Sequence, residues 1–367
     1  MRIMSNIINN EKVFDVWYEL FGKSYKNIVP LVAVLELTYR CNLRCIHCYI
    51  DSKNSEVNEL TIDEIDMLLR QLKDSGTMIL ILTGGEIFLR SDLEDILMLV
   101  KNIGFFLRLF TNATLINKKY LSIFEKVRPD RFEVSLYGSN SVINDYITGV
   151  KGSFNKTMKN IKELVKRGHS VKIKNVWMKE NYKDFWEWIN LVYELTGEDP
   201  LWTSMISPSD NGYFKHLRRM LNREQMEELK RNENKFYKLK SNNNLNNKEM
   251  LPCDISILSI QCNAGFSAMC ISPSGDVYPC VQIRLGAGNI KEHDFKKIWI
   301  ESPIFKMIRK FSHIPIDECS KCMYISYCMR CPGIAWLEDG SLTLPSRQSC
   351  RVAKIGRFLY EQEEKGI

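Results

Sequence analysis

The stretch that decides the fold is LVAVLELTYRCNLRCIHCY, residues 31–49. Residues 31–39 are an apolar, β-branched run of strand length. Directly after it, Cys41, Cys45 and Cys48 fall inside eight residues. Structural zinc takes four ligands, and so does an iron–sulfur cluster meant only for electron transfer. Three thiolates therefore either belong to a zinc site or structural set completed elsewhere, or leave one position open for another molecule to bind.

Outward from this stretch, strand and helix patterns alternate six times. Strands are expected at 31–39, 78–85, 105–112, 131–138, 171–178 and 201–208, each followed by a helical pattern. The first helix opens with Thr61 and Glu64 at capping-box spacing. Such a chain builds a parallel sheet with helices outside, and both an open doubly wound sheet and a partial barrel satisfy the pattern. In either, ligands gather at the carboxyl ends of the strands. The chemistry-bearing segments fall there: CNLRC, then TGGE (83–86), TN (111–112) and SLYG (135–138).

The Asn-rich SNNNLNN, 241–247, marks a boundary, and beyond it residues 253–350 hold nine of the twelve cysteines among frequent turns. A segment without regular apolar periodicity usually needs metal or disulfides to hold it. The expected division is an N-terminal extension (1–30), a core (31–240), a linker (241–252) and a cysteine-rich domain ending in a helix (253–367). The start has no signal-peptide pattern and no run reaches membrane-spanning length, so a cytoplasmic location is expected. Reduced thiols in that compartment point to metal. The net charge is +7, and residues 151–180 carry nine Lys or Arg against two Glu. That excess reads as a solvated helix face, the sharper alternative being a docking surface for an acidic partner.

CNLRCIHC resembles the signature of the radical SAM family, with His47 as its aromatic position. The resemblance implies a partial (β/α)6 TIM-like barrel. It also implies a [4Fe–4S] cluster on Cys41, Cys45 and Cys48 whose open iron binds S-adenosylmethionine, the source of a 5′-deoxyadenosyl radical. By the same resemblance Gly84, Gly85 and Glu86 meet the methionine amine of the cofactor, although Ile87 stands where the family usually has Pro. Asn112, Ser135 and Lys174 are the further expected cofactor contacts, Lys174 to its carboxylate.

The second cysteine field resembles the SPASM domain: Cys262, twelve residues, Gly275, four residues, Cys280, then Cys319, Cys322, Cys328, Cys331 and Cys350. The resemblance implies two auxiliary [4Fe–4S] clusters. Cys319, Cys322, Cys328 and Cys350 would hold the outer one. Cys262, Cys280 and Cys331 would hold the inner one, with Cys270 its expected fourth ligand. Only two residues separate Cys328 from Cys331, where three are common. Cys253 is left over as a buried thiol, and taken alone the region would also suit a pair of zinc sites.

Proteins combining these domains mostly modify peptides, and SLYG with DYITGVKGSF (145–154) is similar to the peptide-maturase branch. The expected substrate is a ribosomally made precursor peptide, with a flavodoxin- or ferredoxin-type electron donor. Only about thirty residues precede the first strand, so a separate leader-binding protein is expected. Val281 stands where sulfatase maturases carry an acid. Sulfatase-maturase-like protein modification and haem-pathway chemistry remain alternatives, as does tRNA modification, for which no appended RNA-binding motif is found. A non-enzymatic electron carrier is disfavoured by the open-iron motif with GGE.

Overall fold

The computed structural model describes residues 16–50, 58–209, 214–243, 262–311 and 317–364. Cys253 and most of the expected linker lie outside the described residues.

All six expected strands form, as β1 (Val32–Thr38), β2 (Ile79–Gly84), β3 (Phe106–Thr111), β4 (Arg131–Ser135), β5 (Val171–Val176) and β6 (Leu201–Thr203). Every neighbouring pair is parallel. Their order across the sheet follows their order in the chain. A doubly wound sheet would reverse direction at a switch point. Monotonic order with right-handed crossovers instead keeps the helices on one face and curls the sheet into a partial barrel. The capping box closes: Thr61 Oγ1 accepts from the Glu64 amide, and Glu64 accepts from the Thr61 amide.

One face of β1 (Ala33, Leu35, Leu37) joins the apolar core with Leu68, Leu72 and Ile96 of the flanking helices. The opposite face, carrying Val34, Glu36 and Thr38, therefore looks into the barrel. Register places Thr83, Phe110, Glu133, Ser135 and Lys174 on that inner face. The barrel wall is thus apolar outward and distinctly polar inward.

The cysteine-rich region does not stand apart from the barrel. Its first strand, β7 (Ala268–Ile271), adds to the free edge of β1 in parallel, and β8 (Asp276–Tyr278) and β9 (Gly288–Asn289) extend the sheet to nine strands. Phe295, Trp299 and Phe305 are buried in the same core as the barrel residues. At the other edge Gln348 exchanges two hydrogen bonds with the backbone of Ile206, at 3.2 and 3.0 Å. This region buries more apolar surface than its sequence pattern suggested, because it borrows the barrel's edge strand. Among the described residues no helix is long and apolar enough to cross a membrane.

Candidate metal centres

The loop carrying Cys41, Cys45 and Cys48 is fastened from two sides. On the β2 side, the Gly85 amide donates to the Thr38 carbonyl at 2.7 Å and the Glu86 amide to that of Arg40 at 2.8 Å. A Cβ on Gly84 would lie 2.2 Å from the Thr38 carbonyl oxygen, and one on Gly85 2.2 Å from that of Arg40. Gly84 also has φ +130°, which L side chains rarely adopt. The close approach that this glycine pair serves is to the chain leading into Cys41.

On the other side, the amides of Arg44 and Ile46 donate to the carbonyls of Thr148 and Ile147 at 2.8 and 3.0 Å. Gly149, at φ +68°, sits where a Cβ would approach the Arg44 carbonyl to 2.8 Å. Asp145 fixes this segment by accepting from the Gly152 and Phe154 amides and the Ser153 hydroxyl. DYITGVKGSF is thus the clamp of the cysteine loop, a role its sequence did not reveal.

Around the thiols, Asn112 Nδ2 donates to Asn42 Oδ1 at 3.0 Å and lies 3.9 Å from Cys41 Sγ. The Leu43 amide donates to the same sulfur at 3.4 Å. His47 is half-buried edge-on to Tyr137, centroids 4.6 Å apart, and its buried Nδ1 has no protein partner. Burial first, and then nearby His216, lower the His47 pKa to about 4, so the ring is neutral at pH 7. Burial raises the Cys41 thiol, and burial plus the other two thiols raises Cys45. Cys41 and Cys45 are half-buried and Cys48 is exposed; the raised thiols of the first two resist becoming thiolates unless a metal cation compensates them. This donor set, with amide hydrogens aimed at sulfur, fits a metal cluster.

The expected cofactor contacts are placed unevenly. Glu86 is buried, and its carboxylate accepts from Thr111 Oγ1 at 2.8 Å, the Asn112 amide at 2.8 Å and the Phe88 amide at 3.4 Å. Burial raises its pKa to about 7 against those hydrogen bonds. The side chain thereby staples the ends of β2 and β3. Ser135 lies close enough to the Tyr137 phenol to oppose the rise that burial imposes on its pKa. Lys174 Nζ lies 2.5 Å from Glu133 Oε2 and 3.3 Å above the Phe110 ring centroid. Its charge is matched by Glu133, a residue singled out by no sequence signal.

The later cysteines fall into two groups. Cys319, Cys322, Cys328 and Cys350 face one another closely enough that the last two are raised by burial and then by their neighbours, Cys328 to about 11. Cys262, Cys280 and Cys331 form the second group, where burial and then Cys262 raise Cys280 to about 12. Cys270 is placed differently, fully buried in β7 opposite Val34. Its pKa is raised by burial first and then by the Glu36 carboxylate, which Arg284 partly offsets. Among the described residues, no three His, Cys, Asp or Glu side chains converge on a single-ion site.

Residues 35–192 match the radical SAM superfamily, and residues 262–323 match the SPASM iron–sulfur cluster-binding domain. The chain belongs to the radical SAM enzymes that carry a SPASM domain, whose cofactors are S-adenosylmethionine and [4Fe–4S] clusters. It is 27% identical over 329 residues to AdoMet-dependent heme synthase of Methanosarcina barkeri, covering 85% of this chain and 93% of that one. To the subtilosin biosynthesis protein AlbA of Bacillus subtilis it is 28% identical, covering 83% of this chain and 67% of that one. The fold resembles Streptococcus suis SuiB, solved with its precursor peptide SuiA, at TM-score 0.68 and 19% identity over 90% of this chain and 79% of SuiB.

Proposed function

We propose that this enzyme abstracts hydrogen from a ribosomally made peptide and thereby installs a post-translational modification. Cys41, Cys45 and Cys48 are assigned to the first cluster, and bound S-adenosylmethionine supplies the hydrogen-abstracting radical. Gly84, Gly85 and Asn112 are assigned to shaping the cofactor site through the loop they hold. Ser135 and Glu86 are assigned to its wall. Cys319, Cys322, Cys328 and Cys350 are assigned to the outer auxiliary cluster, and Cys262, Cys280 and Cys331 to the inner one. Cys270 is assigned to the sheet instead, because it is fully buried within β7 opposite Val34 of β1.

The observation that carries the substrate class is the pairing of two cations that face the barrel interior. Lys174 is matched by Glu133, and Arg284 by Glu36 at 2.7 Å. A polycarboxylate such as a porphyrin needs unmatched cations to offset desolvation of its acids, whereas a peptide segment does not. The kinship with AlbA, a biosynthesis protein for the bacteriocin subtilosin, supports the same class. The kinship with a heme synthase supports the second reading, haem-pathway chemistry. A separate leader-binding protein and a flavodoxin- or ferredoxin-type donor complete the proposal. The eleven described cysteines stand free of disulfides, which suits the reducing cytoplasm.

The test is anaerobic incubation of the reduced protein with S-adenosylmethionine and each short peptide encoded beside its gene. A peptide product altered in mass or stereochemistry is expected. Unaltered peptides, with carboxyl loss from a propionate-bearing porphyrin in parallel, would overturn the peptide reading in favour of the second.

A further inference from the structure

Glu36 is wholly buried on the inner face of β1, yet it carries a charge. Arg284 meets it with both terminal nitrogens, Nη1 to Oε2 and Nη2 to Oε1, each at 2.7 Å. This two-pronged geometry makes the strongest kind of side-chain ion pair. The partners are 248 residues apart in the chain: one lies on the strand that enters the first cysteine loop, the other four residues beyond Cys280. Two tyrosines also converge on the carboxylate. Tyr39 Oη stands 3.2 Å from Oε2 and Tyr49 Oη 3.4 Å from Oε1. Tyr39 is two residues before Cys41, and Tyr49 directly follows Cys48. The guanidinium also lies 5.2 Å from the ring centroid of Tyr278, two residues before Cys280. Arg284 Nε is buried without a hydrogen-bond partner.

A hydrophobic pair at this junction would hold β1 near the cysteine-rich region at least as well, since a buried ion pair adds little net stability. What a charge pair adds is a field. We propose that Glu36 and Arg284 are positioning residues that set the electrostatic environment of the inner auxiliary cluster, Arg284 supplying the cation and Glu36 cancelling it. The potential of an iron–sulfur cluster follows local net charge, hydrogen bonding and burial. An uncancelled guanidinium four residues along the chain from Cys280 favours the more negative, reduced cluster. Glu36 therefore keeps that cluster at a lower potential than Arg284 alone would impose, and it ties this setting to the strand feeding the first cluster.

The inference rests on Cys280 being a ligand of the inner cluster. Its test is anaerobic redox titration of the auxiliary clusters by electron paramagnetic resonance, in the holoenzyme and three variants. Glu36→Gln keeps the shape and removes the charge, and the inner-cluster potential is expected to rise while iron content stays at the wild-type level. Arg284→Gln is expected to leave it unchanged or lower. The double variant, again free of net charge, is expected to return it near wild type. If Glu36→Gln alone fails to load iron while the double variant loads and titrates normally, an uncompensated buried cation is still the cause, and the proposal stands. An inner cluster whose potential Glu36→Gln does not move, or failure of both Glu36→Gln and the double variant to load, would overturn it. Wild-type protein without any auxiliary signal would instead sink the ligand assignment, and this inference with it.

Discussion

Gly85 shows how tightly the first cysteine loop is packed at single residues. A methyl group there meets the Arg40 carbonyl oxygen at 2.2 Å and the Tyr39 carbonyl oxygen at 2.6 Å, and both are backbone. Gly85→Ala must push the first cysteine loop away, so reconstituted protein is expected to lose the iron of one cluster while the auxiliary sites stay loaded. Iron analysis with cluster spectroscopy checks this. Cys270→Ala makes the contrasting case, because this cysteine is proposed to be a buried sheet residue of β7. Iron content at the wild-type level is expected, and loss of the inner-cluster signal would restore Cys270 as a ligand.

Glu86 carries a pH signature. Its folded pKa of about 7 lies above the ordinary value of 4.5, so protonation favours the fold. The stabilisation is fully present below about pH 4.5 and is lost as pH rises through 7, on the order of 3 kcal/mol for a shift of this size. Thermal unfolding of apoprotein between pH 5 and 8 should show wild type losing stability relative to Glu86→Gln. Parallel pH curves would contradict the burial account. The cysteine spacing was legible because ligands on one loop are set by local sequence. The charged neighbours of Lys174 and Cys270 were not, because Glu133 and Glu36 reach them only across strands, and no local pattern records register.

Among the elements, the segment running from Asp145 to Phe154 holds the cysteine loop through backbone carbonyls. Asp145 organises it with three hydrogen bonds, at 2.6, 2.8 and 2.8 Å. Asp145→Ala leaves two backbone donors to find water and is expected to cost about 2 kcal/mol. The same variant should release iron from the first site faster under a chelator, while the auxiliary clusters are spared. Equal release from all sites would mean that the clamp acts on global stability alone. Its sequence signal was present, an Asp and a glycine at a left-handed position, but its target lies a hundred residues upstream. The strand–helix alternation, by contrast, was readable throughout, since each strand's apolar run and each helix's periodicity is local. Only the choice between doubly wound sheet and barrel waited on strand order.

Across the whole molecule, the barrel and the cysteine-rich region share a sheet, a core and an ion pair, so the auxiliary clusters are fixed relative to the barrel interior. This junction escaped the sequence because β7 is four residues long, too short for a periodic signal, and its partner β1 lies far upstream. Three clusters predict roughly twelve irons per chain after anaerobic reconstitution, at four per cluster. Substituting Cys41, Cys45 and Cys48 together by Ala should remove about a third of that iron, while zinc at the later sites in oxygen-free preparations would contradict the assignment.

The central claim is that the barrel presents its radical to a peptide, and isotope transfer tests it most directly. The reduced enzyme is mixed with S-adenosylmethionine and a precursor peptide deuterated throughout its carbon-bound positions, and the 5′-deoxyadenosine is analysed by mass spectrometry. Deuterium in the deoxyadenosine is the predicted result. Deoxyadenosine formed without deuterium from any such peptide, but labelled when a deuterated porphyrin is supplied, would contradict the account.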